Sequence, residues 1–227
     1  MSGVREDVEG LGDLPGNDDA ATRTHLTLVR HGQTVWHADN RYAGHASDVD
    51  LTDEGVQQAT DLAQWVATQH FDAVVTSPVR RAVETARPSA TVLGKTLKVV
   101  DALREVDFGV AEGRTIDELR DLDADMVRRF RADPVAHPFP GAESFDVAAE
   151  RAAHALRTIA REHLGGKVLV VAHNTLLRIA MCALLELPVT RYRVLFPQLE
   201  NAAITELVVP AGSGPASLLR LNGRPGP

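Results

Sequence analysis

The chain has one cysteine, three lysines and no hydrophobic run long enough to span a bilayer. Each scarcity removes a class of protein. With Cys182 alone, no internal disulfide can form, and nothing calls for an oxidising compartment. No stretch approaches the roughly 18 apolar residues of a transmembrane helix. The first 23 residues are acidic, rich in Gly and Asp, and lack the apolar core of a signal peptide. Positive charge is scarce too: 24 Lys and Arg against 31 Asp and Glu leave a formal net charge of −7. A nucleic-acid or anionic-membrane partner is therefore not expected. Apart from Lys95, Lys98 and Lys167, every basic residue is arginine, which suits bidentate contact with oxyanions. The expectation is a cytoplasmic protein.

What is present describes an ordinary globular chain: 227 residues, 44% hydrophobic and 24% charged, enough for one large domain with a substantial core. Residues 1–23 are expected to be a disordered lead-in, and residues 24–209 the domain. Residues 114–140 form a polar insertion, and 210–227 a Gly/Pro-rich tail in which 217–221 can add an edge strand. Strand-like and helix-like segments alternate. Apolar or β-branched runs at 26–30, 71–77, 96–100, 168–172 and 202–209 read as strands. Thr52 caps a helix running to about residue 70, in which Val56, Ala59, Leu62, Ala63 and Val66 recur at helical spacing. Pro78 opens a second helix, and further helices are expected at 144–163 and 176–187. This alternation predicts an α/β fold with a mostly parallel sheet covered on both faces, the run at 168–172 lying at its centre.

Polar residues stand where these strands stop: Arg30-His31-Gly32, Arg80-Arg81 after Ser77, Glu105 after the third strand, and His173. Singly they say little, because a lone buried histidine is more often a satisfied core residue, and an arginine near a helix start usually lies in solvent. All four falling at the carboxyl ends of strands is another matter, since that edge is where open α/β sheets bind ligands. Two imidazoles flanked by arginines suit a site that holds and attacks a phosphoryl group.

The ordered motifs carry a family resemblance over residues 24–208. Arg30-His31-Gly32-Gln33-Thr34 is followed by Leu51-Thr52-Asp53-Glu54-Gly55 with Gln58-Ala59, and by Ser77-Pro78-Val79-Arg80-Arg81-Ala82-Val83-Glu84-Thr85-Ala86. Leu103-Arg104-Glu105 with Phe108-Gly109 and Glu112-Gly113, then Val171-Ala172-His173 with Arg178, complete the set. Together they resemble the histidine phosphatase superfamily, the phosphoglycerate mutase-like proteins, and its phosphatase branch in particular. The resemblance implies a three-layer α/β/α domain and places the family's second arginine at Arg81 rather than Arg80. It further implies that neutral His31 attacks phosphorus and that water hydrolyses the phosphohistidine, splitting one hard step into two. Arg30, Arg81, a cationic His173 and backbone N–H groups of the helix opening at Asn174 would stabilise the transferring group. Glu105, with a raised pKa, would serve as acid and then base. No metal and no cofactor are implied. The partners implied are a small phosphorylated metabolite and, as the one protein partner, a second copy in a homodimer.

Two departures from the family pattern stand out. His37 occupies a position where the family often has a phosphate-contacting Asn, and can donate the same hydrogen bond with a pH dependence Asn lacks. Asn174 replaces a common glycine and should narrow the pocket. Arg41 and Asn174 join Arg30, Arg81 and His37 as candidate substrate contacts, with Tyr42, Phe108 and Phe139 shaping the pocket. Arg128, Arg129 and Arg131 in the insertion read as a solvated helix face.

Other signals fail on context. Asp48-Val49-Asp50-Leu51-Thr52 imitates the aspartate-nucleophile phosphatases but follows no apolar strand, and Ser89 to Thr96 imitates a P-loop but ends a helix. Cys182 has Pro188, not arginine, six positions on. His31, His37 and His45 lack the His-x-x-x-His spacing of a metal site. Three functions remain: a phosphomonoester hydrolase, favoured; a cofactor-dependent phosphoglycerate mutase; and an inactive regulatory relative, disfavoured because Arg30, His31, Arg81 and His173 are all present.

Overall fold

The computed structural model describes residues 22–225; of the expected N-terminal lead-in, residues 1–21 lie outside them. Six strands form one sheet: β1 (Arg23–Arg30), β2 (Ala73–Thr76), β3 (Leu97–Val99), β4 (Lys167–Ala172), β5 (Ile204–Pro210) and β6 (Ser217–Gly223). Their order is β3-β2-β4-β1-β5-β6. The first four of that order run parallel, while β5 and β6 return antiparallel and form one edge. The helices are α1 (Asp53–Ala67), α2 (Arg80–Val92), α3 (Ile116–Leu122), α4 (Ala124–Ala132), α5 (Phe145–Glu162), α6 (Asn174–Leu184) and the single turn α7 (Tyr192–Leu195). Among the described residues no helix is long and apolar enough to cross a membrane.

Burial explains the layering. Val168 to Ala172 are wholly buried, as a central strand covered on both faces must be. Alternate residues sort to opposite faces: Leu169 and Val171, with Val29, pack with Leu62 and Val66 of α1 and Ala82 and Ala86 of α2. Val168, Val170 and Ala172, with Leu26 and Leu28, pack with Leu156 of α5 and Leu176 of α6. The result is a three-layer α/β/α domain, as expected.

Several boundaries differ from the sequence expectation, each for a local reason. β1 starts at Arg23 because Thr24 and His25 pair with Val209 and Val208, and Thr24 Oγ1 donates to the Ala160 carbonyl at 2.6 Å. α2 opens at Arg80, not Pro78, because Ser77 Oγ accepts the Val79 N–H and Val79 is extended. α6 begins at Asn174, two residues before its apolar pattern and where the family resemblance places the helix start, so it follows His173 without a spacer. Thr52 does cap α1, accepting the Gly55 N–H at 3.0 Å.

One close approach ties β1 to α1. A Cβ on Gly32 would sit 2.7 Å from the Gly55 carbonyl oxygen, and one on Gly55 would sit 2.1 Å from that of Gln33. Only glycine allows the chain after His31 to cross the start of α1 this tightly.

The segment 114–140, expected as an insertion, carries two short helices, α3 and α4. Thr115 and Glu118 form a capping box on α3, and Asp123 caps α4 through the Met126 N–H. Phe130 of α4 stacks on Phe139 at 3.8 Å, and Tyr42 meets both edge-on. Tyr42 and Phe130 wall the cavity at the carboxyl edge of the sheet, with Phe139 behind them.

Candidate active site

Strand register assembles the centre. Arg30 lies opposite Ala172, and Thr76 opposite Val171, so the next residues, His31, His173 and Ser77, emerge at one level. The His31 N–H donates to the Ala172 carbonyl and the Ser77 N–H to the Val171 carbonyl, prolonging both ladders. The His31 and His173 rings stand 5.3 Å apart.

His31 is 5% exposed and lines the cavity, whose volume is about 470 Å³. Its Nδ1–H donates to the Gly32 carbonyl at 2.8 Å, which leaves the lone pair on Nε2. Burial, followed by the charge of Arg81, holds its pKa well below the ordinary histidine value. The ring is therefore neutral.

Arg81 sits behind His31 and does not line the cavity. Its Nε–H donates to His31 Nε2 at 3.2 Å, and its terminal nitrogens donate to the carbonyls of Ser47, Ala43 and Gly44, each at 2.9 Å. Arg80 lies outside, paired with Asp50 and Glu84. Arg30 does line the cavity; it donates to the Leu199 carbonyl at 2.7 Å and meets His37 Nε2 at 2.5 Å, while its buried Nε has no partner. Burial lowers its pKa to about 10, so it remains a cation at neutral pH. His37 faces the cavity with its ring 5.9 Å from that of His31. Burial, then Arg30, lowers its pKa to about 4, so it is an uncharged partner there.

Glu105 reaches the opening turn of α6. Its carboxyl accepts the N–H groups of Val106, Thr175 and Leu176 at 3.0, 3.1 and 2.8 Å. Burial raises its pKa and outweighs those donors and Arg81, which pull it down. This corrects one expectation: Glu105 takes the Thr175 and Leu176 N–H groups, leaving the Asn174 N–H as the helix-start donor for an anion. Arg151 of α5 braces the same segment, donating to the carbonyls of Ala102, Arg104 and Glu105 while pairing with Glu143 at 2.7 Å.

His173 requires a second correction. It is wholly buried, its Nε2 is 2.7 Å from Ser77 Oγ and its Nδ1 has no partner. Burial, then Arg81, holds its pKa well below the ordinary value, so it is neutral rather than cationic. Desolvation and three arginines, Arg81, Arg151 and Arg30, together outweigh any preference for charge, and burial is what the sequence alone does not display.

Buried neutral histidines make the fold sensitive to acid. In the unfolded chain each titrates near 6.5, so below that pH the unfolded state binds more protons and stability falls with pH. Each of His31 and His173 is expected to cost about 1.4 kcal/mol between pH 7.5 and 5.5. Urea unfolding at both pH values checks this: His173→Gln should lose about that much less on acidification than wild type. An equal loss in both proteins would mean that His173 is not held neutral.

The remaining candidates are placed less centrally. Arg41 lines the cavity, but its guanidinium serves the Gly113 carbonyl, Glu118 and Asp39. Asn174 lines it too, with Oδ1 unpartnered. Tyr42 and Phe108 form its wall, while Phe139 lies behind them. Arg131 is exposed, as expected of a solvated helix face, and borders the cavity mouth, as does Arg193.

Other contributors were not among the expected site residues, although Glu112 lies in one of the ordered motifs. Asn201 donates to the His31 carbonyl at 2.8 Å from 170 residues away. Glu112 ties down the loop that holds Arg81, accepting the Gly44 N–H at 2.9 Å and the Ser47 hydroxyl. The Leu199 contact runs through a backbone carbonyl, which no side-chain pattern announces.

A family model for the histidine phosphatase superfamily, branch 1, matches residues 26–222, and the chain belongs to that superfamily. Among its relatives, phosphoserine phosphatase 1 of Hydrogenobacter thermophilus is 32% identical over 169 residues, covering 74% of this chain and 79% of the relative. A probable phosphoglycerate mutase of Yersinia pestis is 32% identical over 180 residues, covering 79% of this chain and 82% of the relative. The solved structure of a mycobacterial glucosyl-3-phosphoglycerate phosphatase superposes with a TM-score of 0.78 at 28% identity, covering 88% of this chain and 99% of that one.

Proposed function

We propose that the chain hydrolyses phosphomonoesters of small metabolites in two steps through a phosphohistidine on His31. One observation carries this: His31 stands in the cavity with Nδ1–H fixed on the Gly32 carbonyl, so its Nε2 lone pair is the one that can attack. In the first step Nε2 forms a bond to phosphorus while the ester P–O bond breaks, and Glu105 protonates the departing oxygen. In the second, Glu105 takes a proton from water, the water oxygen bonds to phosphorus, and the N–P bond breaks. Arg81 holds the Nε2 lone pair through its Nε–H in the free site; once phosphorus takes that lone pair, the N–H is released beside the phosphoryl oxygens. Arg30, oriented by His37, and the Asn174 N–H complete the cradle, and His173 supports the far side of His31. Positive charge from arginine takes the part that a metal ion plays elsewhere. Action without a metal and a cytoplasmic location belong to the same reading.

Transfer to water rather than to a second substrate hydroxyl is favoured because the insertion is only two short helices, with little to enclose a doubly phosphorylated intermediate. The test is metal-free incubation with phosphate monoesters, including 3-phosphoglycerate with and without 2,3-bisphosphoglycerate. Net phosphate release is expected; isomer interconversion without release would identify a mutase.

The role of Glu105 has its own test. kcat/KM should rise as pH climbs through the lowered pKa of His31 and fall as it climbs through the raised pKa of Glu105. Glu105→Gln should remove the alkaline limb and slow alkyl esters by about 10²–10³-fold, but nitrophenyl phosphate far less, since that leaving group needs no proton. Equal losses on both esters would contradict Glu105 as the acid.

A further inference from the structure

The carboxyl group that moves protons in this site stands on a segment without regular structure. Glu105 lies between two single-turn 3-10 helices, Asp101–Leu103 and Gly109–Ala111, so neither a strand ladder nor a helix fixes its backbone. Its two carboxyl oxygens are not equivalent. Oε1 accepts two N–H groups, those of Val106 and Leu176, whereas Oε2 accepts only that of Thr175. Oε2 is therefore the oxygen with room left to carry a proton at the cavity wall. The Val106 N–H belongs to the same segment, so a shift of that backbone moves the carboxyl with it.

Arg151 of α5 and Glu143 hold this segment from outside the cavity. Arg151 Nη1 donates to the Ala102 and Arg104 carbonyls at 2.8 and 2.9 Å, and Nη2 to that of Glu105 at 3.3 Å. Its Nε and Nη2 also grip the Glu143 carboxylate, at 2.7 and 2.8 Å. All five N–H groups of the guanidinium are thereby used. Glu143 in turn donates its own backbone N–H to the Asp107 carbonyl at 2.9 Å. The carbonyls of residues 102, 104, 105 and 107 are thus all held by one ion pair. Its two side chains are mostly buried, at 13% and 16% exposure, and neither lines the cavity. A buried ion pair adds little net stability over apolar side chains of the same volume; what this one supplies is fixed geometry.

We infer that Arg151 and Glu143 are positioning residues for the acid: through the backbone of residues 102–107 they keep Glu105 Oε2 facing the cavity, while touching neither substrate nor the transferring phosphoryl group. This rests on Glu105 as the acid in the phosphatase reading above, and adds what places it.

Two esters and a double variant test it. kcat/KM covers the steps up to transfer of the phosphoryl group to His31, in which the leaving oxygen departs. Arg151→Lys keeps the charge but cannot span three carbonyls. It should slow ethyl phosphate about 10–100-fold, the scale of a misplaced catalytic group, and 4-nitrophenyl phosphate less than about threefold, since that leaving group needs no proton. A merely structural role would lower both esters together and leave their ratio unchanged. With Glu105→Gln already in place there is no acid to position, so adding Arg151→Lys should slow ethyl phosphate less than about twofold further. Glu143→Gln leaves Arg151 in the site and should move the ester ratio the same way by about threefold or more, which keeps the comparison open where Arg151→Lys does not fold. An unchanged ester ratio in these variants, or an undiminished loss on ethyl phosphate in the Glu105→Gln background, would overturn the positioning role alone. Equal losses on both esters in Glu105→Gln by itself would overturn the acid assignment, and the positioning role with it.

Discussion

His31→Ala is expected to lower kcat/KM by at least about 10⁴-fold, the scale seen when a covalent nucleophile is removed. The size follows from what the side chain alone supplies. Nε2 is the nitrogen freed for attack by the Nδ1 contact to Gly32, and no other nitrogen could take its place: His173 Nε2 is engaged with Ser77, and His37 with Arg30 and Thr34. Removal also leaves Arg81 Nε without an acceptor, so thermal unfolding should accompany the kinetics to show that the loss is chemical. Arg30, His37 and Glu105 remain in place, which is why residual turnover above that of water is expected rather than none. A variant retaining more than about one part in a hundred of wild-type activity would remove His31 from the role of nucleophile.

Arg81→Ala should cost both stability and rate. The side chain is wholly buried and donates to three backbone carbonyls of residues 43–47 as well as to His31. Truncation leaves those carbonyls without donors and opens a large cavity, for an expected loss of about 3–5 kcal/mol. Turnover should fall by about 10³-fold or more, because the loop and the His31 ring lose their common anchor and the site loses a cation. If that variant does not fold, Arg81→Lys keeps the question open to measurement. An ammonium retains the charge but cannot spread donors over four acceptors, so kcat should still drop by about 10²-fold with a smaller loss of stability. Urea unfolding and phosphate release read the two effects separately. Wild-type values for Arg81→Lys would mean that charge alone matters and that the fork geometry does not.

Much of this arrangement was legible in the chain itself, because it depends on periodicity and on local turns. The apolar run before His173 reads as the central strand, and Thr52 reads as the cap of α1. Arg30-His31 and His173 stand at strand ends, where parallel register brings them together. The choice of Arg81 over Arg80 came from the motif, and the two side chains prove to face opposite ways, one buried behind His31 and one paired with surface acids. What could not be read depends on burial or on distant backbone. The charge state of His173 turns on desolvation, and Glu105 occupies backbone donors assigned to the substrate. Asn201 and Leu199 act across about 170 residues, the latter through a carbonyl. Arg131 sits on an exposed helix face, as its pattern suggests, and nothing in that pattern shows that the cavity opens beside it.

The most direct measurement is chemical trapping. Rapid mixing of the wild-type protein with a ³²P-labelled monoester, followed by quenching in alkali, should leave label on the protein that acid releases and alkali does not. Peptide mapping should place that label on His31, and His31→Ala should carry none. Label on another residue, or steady turnover of the monoester with no acid-labile phosphoprotein at any quench time, would contradict the account.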